Sequence, residues 1–455
     1  MKAAVLHAKS DIRYEEVETP KAGPDEVLVR VGAVGICGSD IPRVLGNAAH
    51  YYPVILGHEF AGEVVELGSS VTTVRVGDRV AVAPLVPCMA CADCQRGDYS
   101  LCRSYTFIGS RDPGAFAEYV RVPTRNLVPL PEGVDDIRGA FFEPSTVALH
   151  GLRVADYRPG EHVLVLGAGT VGAFAVQWAK ILGARSVTVL DINANRLAVA
   201  SRLGADAVLD SRDPGVVEQA LALTDGKGFG YVLETAGKNA TMALSFQLVA
   251  GKGTVCFIGT SSTDVAFEHK LFEQLNRKEF RLTGSWMSYS APFPGEEWTA
   301  TADYFARGLL RLDADLLHGT FPLSAAAEVF TLFATPGAVT GKVMFLPPAG
   351  IRHVLTHPLL QEGPPCPPSR QLPTPSTRMQ YRSVRCAPGT PSPDSASAPS
   401  VLTGSAARTS PQPSAMPCAA DTGSSTAPPS TSTSTSLVTC SQRPSPVASP
   451  ARTCS

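Results

Sequence analysis

The stretch His162–Asp191, HVLVLGAGTVGAFAVQWAKILGARSVTVLD, decides the fold. Five residues of apolar strand character run into a glycine-rich turn, Gly167-Ala-Gly169-Thr170-Val171-Gly172. An apolar helix pattern follows, and a second Val-rich strand stops on Asp191. This is the βαβ rhythm of a parallel sheet, whose strands are covered on both faces and read as continuous apolar runs. The turn fits G-x-G-x-x-G. The first Gly permits the tight turn, the second lets a pyrophosphate approach the backbone, and the third lets helix pack on strand. A carboxylate at Asp191 can accept both ribose hydroxyls and would repel a 2′-phosphate, which favours NAD over NADP. Arg196 points the other way, but an arginine in the first turn of a helix is more often simply solvated.

On the C-terminal side, YVLETAG, GTVCFIG and FRLTGSW are further strand candidates separated by helical patterns. They predict a doubly wound parallel sheet over residues 151–286, a normal domain size of about 140 residues. On the N-terminal side, residues 1–150 are β-rich: MKAAVLH, RYEEVE, DEVLVRVGAVGIC, GEVVELGS and DRVAVAP are short Val-rich runs punctuated by Gly, Pro and Asp. A small, partly open β-barrel is expected there. Residues 287–347 hold two helical patterns and a closing strand, GKVMFLP, expected to return to the barrel and complete it. The tail 348–455 is dense in Pro, Ser and Thr and lacks lysine, so it is expected to be disordered.

Composition excludes several function classes. At 44% hydrophobic, 18% charged and a formal net charge of -2, the 455-residue chain offers no polyanion-binding signal, so nucleic acid is not an expected partner. The N-terminus has no signal-peptide core and no run is long enough to span a bilayer, so a cytoplasmic protein without a membrane partner is expected.

Of eleven cysteines, Cys88, Cys91, Cys94 and Cys102 form C-x2-C-x2-C-x7-C. Thiolates at that spacing can converge on one tetrahedral ion and would close its shell, so a structural Zn²⁺ is expected. A second group lies in Gly35–Glu59, where Cys37, Ser39 and His58 stand within GICGSD and GHEF. An open zinc site needs three protein ligands and one exchangeable position, and Cys37 and His58 supply two. Glu143, in FFEPST where the barrel hands over to the sheet, is the preferred third, with Glu59 as competitor or supporting partner.

With GICGSD, GHEFAG, VGDRVAV, the four-cysteine lobe and GAGTVG in this order, residues 1–347 resemble the zinc-dependent medium-chain dehydrogenase/reductase superfamily. Glutamate rather than cysteine at 143 resembles its polyol dehydrogenase branch. Four longer strings, GNAAHYYPVILGHEF, PLVPCMACADC, YTFIGSR and GSWMSYSAPFPGEEW, are similar to the galactitol-1-phosphate 5-dehydrogenase family. The resemblance implies a GroES-like barrel beside a Rossmann sheet, one catalytic and one structural zinc, and a homodimer or homotetramer. It further implies NAD-linked oxidation of galactitol 1-phosphate to tagatose 6-phosphate, with unphosphorylated polyols as the alternative substrate class. Zinc would lower the pKa of the substrate hydroxyl, Ser39 would pass its proton outward, and hydride would move to the nicotinamide. Ile258, Gly259 and Thr260, with Gly284, Ser285 and Trp286, would line the nicotinamide end. A phosphorylated substrate needs cationic donors; Arg43, His50 and Arg111, which sit in or beside those strings, are the candidates. Sorbitol dehydrogenases carry a histidine shortly after GSD, where IPRV stands here.

Overall fold

The computed structural model describes residues 1–335 and 337–348. The expectation of disorder over 348–455 falls, Pro348 aside, outside the described residues.

The strand Glu26–Gly35 is the spine of the N-terminal sheet. It is buried along nearly its whole length, as its Val-rich run EVLVRVGAVG requires. It pairs antiparallel with Glu59–Leu67 from Val27 opposite Leu67 to Gly35 opposite Glu59, and with Tyr119–Pro123. Its end pairs with the closing strand Lys342–Leu346, Met344 opposite Gly35 and Phe345 opposite Val34. Arg79–Val82 and Leu127–Pro129 extend one edge and Leu317–Pro322 the other. The closing strand therefore lies inside the sheet. Phe330 and Phe345 share the barrel core with Phe116, the Phe116 and Phe345 rings meeting edge to face at 5.2 Å. Burying such side chains is worth about 1.5–3 kcal/mol each, which ties the far end of the chain to its beginning.

The second sheet is parallel and six-stranded: His162–Leu166, Ser186–Asp191, Ala207–Asp210, Phe229–Glu234, Val249–Phe257 and Arg281–Gly284. Numbered by sequence, their spatial order is 3-2-1-4-5-6. The order reverses between the first and fourth strands, and a ligand crevice forms at such a switch point, outside the carboxyl ends of the strands.

The helix Phe142–Val154 joins the two parts. Its proline, Pro144, stands in the first turn, where a missing N–H costs nothing. Phe142 stacks on Phe305 at 5.4 Å, and the Trp178 indole donates to Ser145 O at 3.1 Å. These contacts fix the first turn, and with it Glu143. Among the described residues, no helix is long and apolar enough to cross a membrane.

Candidate active site

Strand register brings the first group together. His58 and Glu59 stand at the start of one strand and Cys37 two residues beyond the end of its partner, so their ligand atoms all lie within 4.8 Å of one another. Ser39, exposed at the mouth of the site, donates its hydroxyl to Cys37 Sγ at 3.3 Å. Arg43 Nη1 in turn donates to Ser39 Oγ at 2.7 Å and reaches Asp40 Oδ1 at 3.4 Å. The buried Asp40 accepts the Cys37 N–H at 3.1 Å and lies 3.6 Å from His58 Nδ1. Glu59 Oε2 accepts from Lys342 Nζ at 2.5 Å.

The carboxyl of Glu143 is outside the tight set of Cys37, His58 and Glu59. It is nevertheless close enough to feel His58, Glu59, Lys342 and Asp40. Burial, reinforced by the Glu59 and Asp40 carboxylates, pushes it up to about 7 against the pull of His58 and Lys342. Burial likewise raises the Cys37 thiol, with Glu59, Asp40 and Glu143 adding to the effect. Asp40 is raised by burial against His58 and Arg43. Lys342 is raised: burial opposes its charge, but Glu59 and Cys37 outweigh that.

Burial and the crowding of like charges act together here. With His58 neutral, as a metal ligand must be, ionised Cys37, Glu59, Glu143 and Asp40 are four anions facing two cations, Lys342 and Arg43. The excess of two negative charges in a buried pocket is what one divalent cation neutralises. A thiolate, an imidazole and a carboxylate are also a donor set that suits Zn²⁺. The residues present fit a zinc ion.

The four-cysteine lobe fits one as well. The sulfurs of Cys88, Cys91, Cys94 and Cys102 lie within 4.8 Å of one another, and the nearest pair for which a contact is seen, Cys88 and Cys94, are 3.9 Å apart as free thiols. Backbone N–H groups aim at three of them: Cys91 at Cys88 Sγ (3.3 Å), Cys94 at Cys91 Sγ (3.5 Å) and Cys88 at Cys102 Sγ (3.3 Å). Such donors favour thiolates, and those from Ala90 and Cys91 bring Cys88 down to about 6. Burial, followed by the neighbouring Cys91 and Cys102 thiols, holds Cys94 up at about 12.

At the switch point, Gly167 has φ +96°, and its N–H donates to Leu190 O at 2.8 Å. A Cβ at Gly172 would lie 1.9 Å from Gly167 O, whereas one at Gly169 would meet nothing within 4 Å. The third glycine is thus needed by the fold, and the second leaves space in front of the Thr170 helix. Asp191 accepts the Ala168 N–H at 2.6 Å and the Asn193 N–H at 2.8 Å. Arg196 is not simply solvated: its Nε donates to Thr340 O at 3.0 Å, and it lines a pocket together with Gly169, Thr170, Thr340 and Gly341. Val171 packs against the core. Ile258, Gly259 and Thr260 follow the fifth strand and Gly284, Ser285 and Trp286 the end of the sixth, on the same edge of the sheet. Ser285 Oγ is buried without a hydrogen-bond partner.

Comparison with known proteins agrees with this geometry. Residues 23–132 match the alcohol dehydrogenase GroES-like domain and residues 170–306 the zinc-binding dehydrogenase domain. Galactitol 1-phosphate 5-dehydrogenase of Escherichia coli strain K12 is 38% identical over 349 residues, 76% of this chain and 100% of that protein. This chain belongs to the zinc-dependent alcohol dehydrogenase family. Sorbitol dehydrogenase of Bacillus subtilis strain 168 is 36% identical over 58% of this chain and 76% of its own length. The crystal structure of galactitol-1-phosphate dehydrogenase from Escherichia coli superposes with a TM-score of 0.73, at 37% identity over 76% of this chain and all of that one. A Sinorhizobium meliloti 1021 protein described as a zinc-binding dehydrogenase and solved bound to NADP gives 0.70, at 34% identity over 76% and 99%.

Sequence reasoning left Lys342, Asp40 and Tyr289 unassigned. Lys342 had a legible signal, a lone cation inside the otherwise apolar run VMFL that it opens, all of it buried. Asp40 stood in GICGSD without a role. Tyr289, buried and accepting the Leu85 N–H at 2.9 Å, carried no sequence signal.

Proposed function

We propose that the chain oxidises a sugar-alcohol phosphate with NAD, taking galactitol 1-phosphate to tagatose 6-phosphate, with Cys37, His58 and a carboxylate of Glu59 or Glu143 holding the catalytic zinc. The observation that carries the phosphate is a basic group, His50, Arg111 and Arg43, of which Arg43 hydrogen-bonds Ser39 beside Cys37. His50 is lowered by burial and then by the positive charges of Arg111 and Arg43, so both guanidinium groups are near enough to act on it. Arg111 lies over the Tyr105 ring at 4.8 Å, which holds its guanidinium in place. The relationship to galactitol 1-phosphate 5-dehydrogenase supports the same substrate.

Zinc, when bound, supplies Lewis acidity that makes the substrate hydroxyl a better proton donor, and NAD supplies the hydride acceptor. The remaining work belongs to the chain. Ser39 Oγ takes the hydroxyl proton while releasing its own, which leaves to water once the exposed Ser39 O–H turns away from Cys37 Sγ. Arg43, permanently protonated, cannot receive it; its hydrogen bond orients Ser39 Oγ. Asp40 orients the Cys37 segment and His58. Gly169 admits the pyrophosphate, Asp191 the ribose, and Ile258 to Thr260 with Gly284 to Trp286 flank the nicotinamide. The enzyme is expected to work in the cytoplasm as a homodimer or homotetramer.

The test is NADH production on galactitol 1-phosphate, galactitol and sorbitol by the parent and by Arg111→Ala. Arg111 makes no hydrogen bond to Ser39, so its loss should cut kcat/KM for the phosphorylated substrate tenfold or more and leave the free polyols unchanged. An unaltered ratio would overturn the phosphate reading in favour of a sorbitol-type substrate.

A further inference from the structure

The five charged groups around Cys37 and His58, Asp40, Arg43, Glu59, Glu143 and Lys342, do not have equal freedom. Glu59 and Lys342 are both almost fully buried. Lys342 Nζ donates to Glu59 Oε2 at 2.5 Å and to the backbone carbonyl of Ile36, the residue before Cys37, at 3.0 Å. The ammonium therefore joins the Cys37 segment to the Glu59 carboxylate from behind the site. The backbone is shaped for this clamp. A Cβ on Gly35 would lie 2.6 Å from Glu59 Oε2 and 3.3 Å from Lys342 Cδ, so any larger residue there would push the pair aside. Register delivers Lys342: the closing strand pairs Met344 with Gly35, and Glu59 faces Gly35 from the other side.

We infer that Lys342 is a positioning residue for the zinc centre, pinning one oxygen of Glu59 so that the carboxylate presents only its other oxygen toward the space between Cys37 Sγ and His58. This rests on the zinc reading of that site and not on the identity of the substrate. Removing the ammonium would leave a buried carboxylate with neither a fixed orientation nor a balancing charge, and residues that support metal ligands in this way typically contribute 10–100-fold to metal affinity. On this inference the effect of Lys342 on the metal runs through Glu59 and not through its bond to Ile36 O. That restriction separates it from a residue that merely fills the core.

The experiment is a double-mutant cycle on the full chain, read by the rate at which a chelator removes zinc and by the absorption spectrum of the cobalt(II)-substituted protein. Zinc in the four-cysteine lobe serves as internal control. Lys342→Met should speed zinc loss from the Cys37 centre at least tenfold and shift the cobalt bands, while Lys342→Arg, which keeps a donor, should stay near the parent. Glu59→Gln alone should also speed release, and adding Lys342→Met to it should change nothing further. Losses that multiply in the double variant, or a folded Lys342→Met with parental release and spectrum, would overturn the proposal. If Lys342→Met does not fold, the pair Glu59→Met with Lys342→Met, which leaves no unpaired buried charge, is compared with Glu59→Met alone under the same criterion. Zinc loss from the Cys37 centre no faster in Glu59→Gln than in the parent would instead overturn Glu59 as a ligand, and with it this inference, leaving Glu143 for the third position.

Discussion

Two glycines of one turn are expected to fail in different ways when replaced by alanine. At Gly172 the added Cβ would stand 1.9 Å from Gly167 O and 3.1 Å from Thr235 Oγ1. A relaxed contact between heavy atoms needs about 3.5 Å, and the obstructing atom is backbone. Gly167 O is held by the Thr235 hydroxyl at 2.9 Å, and Gly167 N by Leu190 O at 2.8 Å, so the turn cannot simply move. Overpacking of this kind costs about 1–3 kcal/mol, and at a backbone obstacle the upper end applies. Alanine gains back about 1 kcal/mol over glycine within a helix. The net loss is about 2 kcal/mol, a fall in Tm of about 4–8 °C at the ~2–4 °C per kcal/mol of a domain this size. At Gly169, where φ is -68° and a Cβ meets nothing, the apo protein should lose less than about 1 kcal/mol. The methyl would nonetheless occupy the space in front of the Thr170 helix where the pyrophosphate must approach. NADH binding should weaken at least tenfold, about 1.4 kcal/mol. Differential scanning calorimetry without cofactor and NADH fluorescence titration separate the two effects. A Gly169→Ala protein with parental NADH affinity would refute the placement of the pyrophosphate, and a Gly172→Ala protein with parental Tm would refute the packing argument.

Other perturbations have equally direct readouts. Glu297 is buried, and although burial alone would raise it, hydrogen bonds from His150 (2.9 Å) and Ser290 (2.6 Å) hold its carboxyl below the ordinary value of 4.5. Its contribution is complete above that value and is lost as pH falls through the lower folded pKa. The gap in urea midpoint between the parent and Glu297→Gln should therefore be constant from neutral pH to about 5.5 and close below about 4.5; a gap that persists at low pH would contradict this. Cys94→Ser should leave one zinc per chain rather than two by elemental analysis and lower Tm by several degrees, since structural zinc contributes folding free energy. Two zinc ions retained would rule out the lobe as a metal site.

The sequence determined the features that a few neighbouring residues settle among themselves. Gly167 to Gly172 had to form a tight turn because the residues that close it, from strand end to helix start, are adjacent in the chain. The cysteines of the lobe converge because a short segment from Cys88 to Cys102 has little choice once three amide N–H groups aim at its sulfurs. The ligand types at Cys37 and His58, and the β-rich and βαβ halves, were legible for the same reason. Tertiary structure decided what depends on register between distant strands. Glu59 joins Cys37 and His58 in one 4.8 Å set, and Glu143 stands just outside it, because Glu59 faces Gly35 across a strand pair while Glu143 arrives on a helix whose position is set by Phe305 and Trp178. Arg43 turns from a candidate phosphate ligand into the partner of Ser39 as well. Lys342 reaches the Ile36 carbonyl from 306 positions away. No local pattern encodes such a contact, since it exists only once the barrel core around Phe116 and Phe345 has fixed which residues of the first and last strands stand side by side.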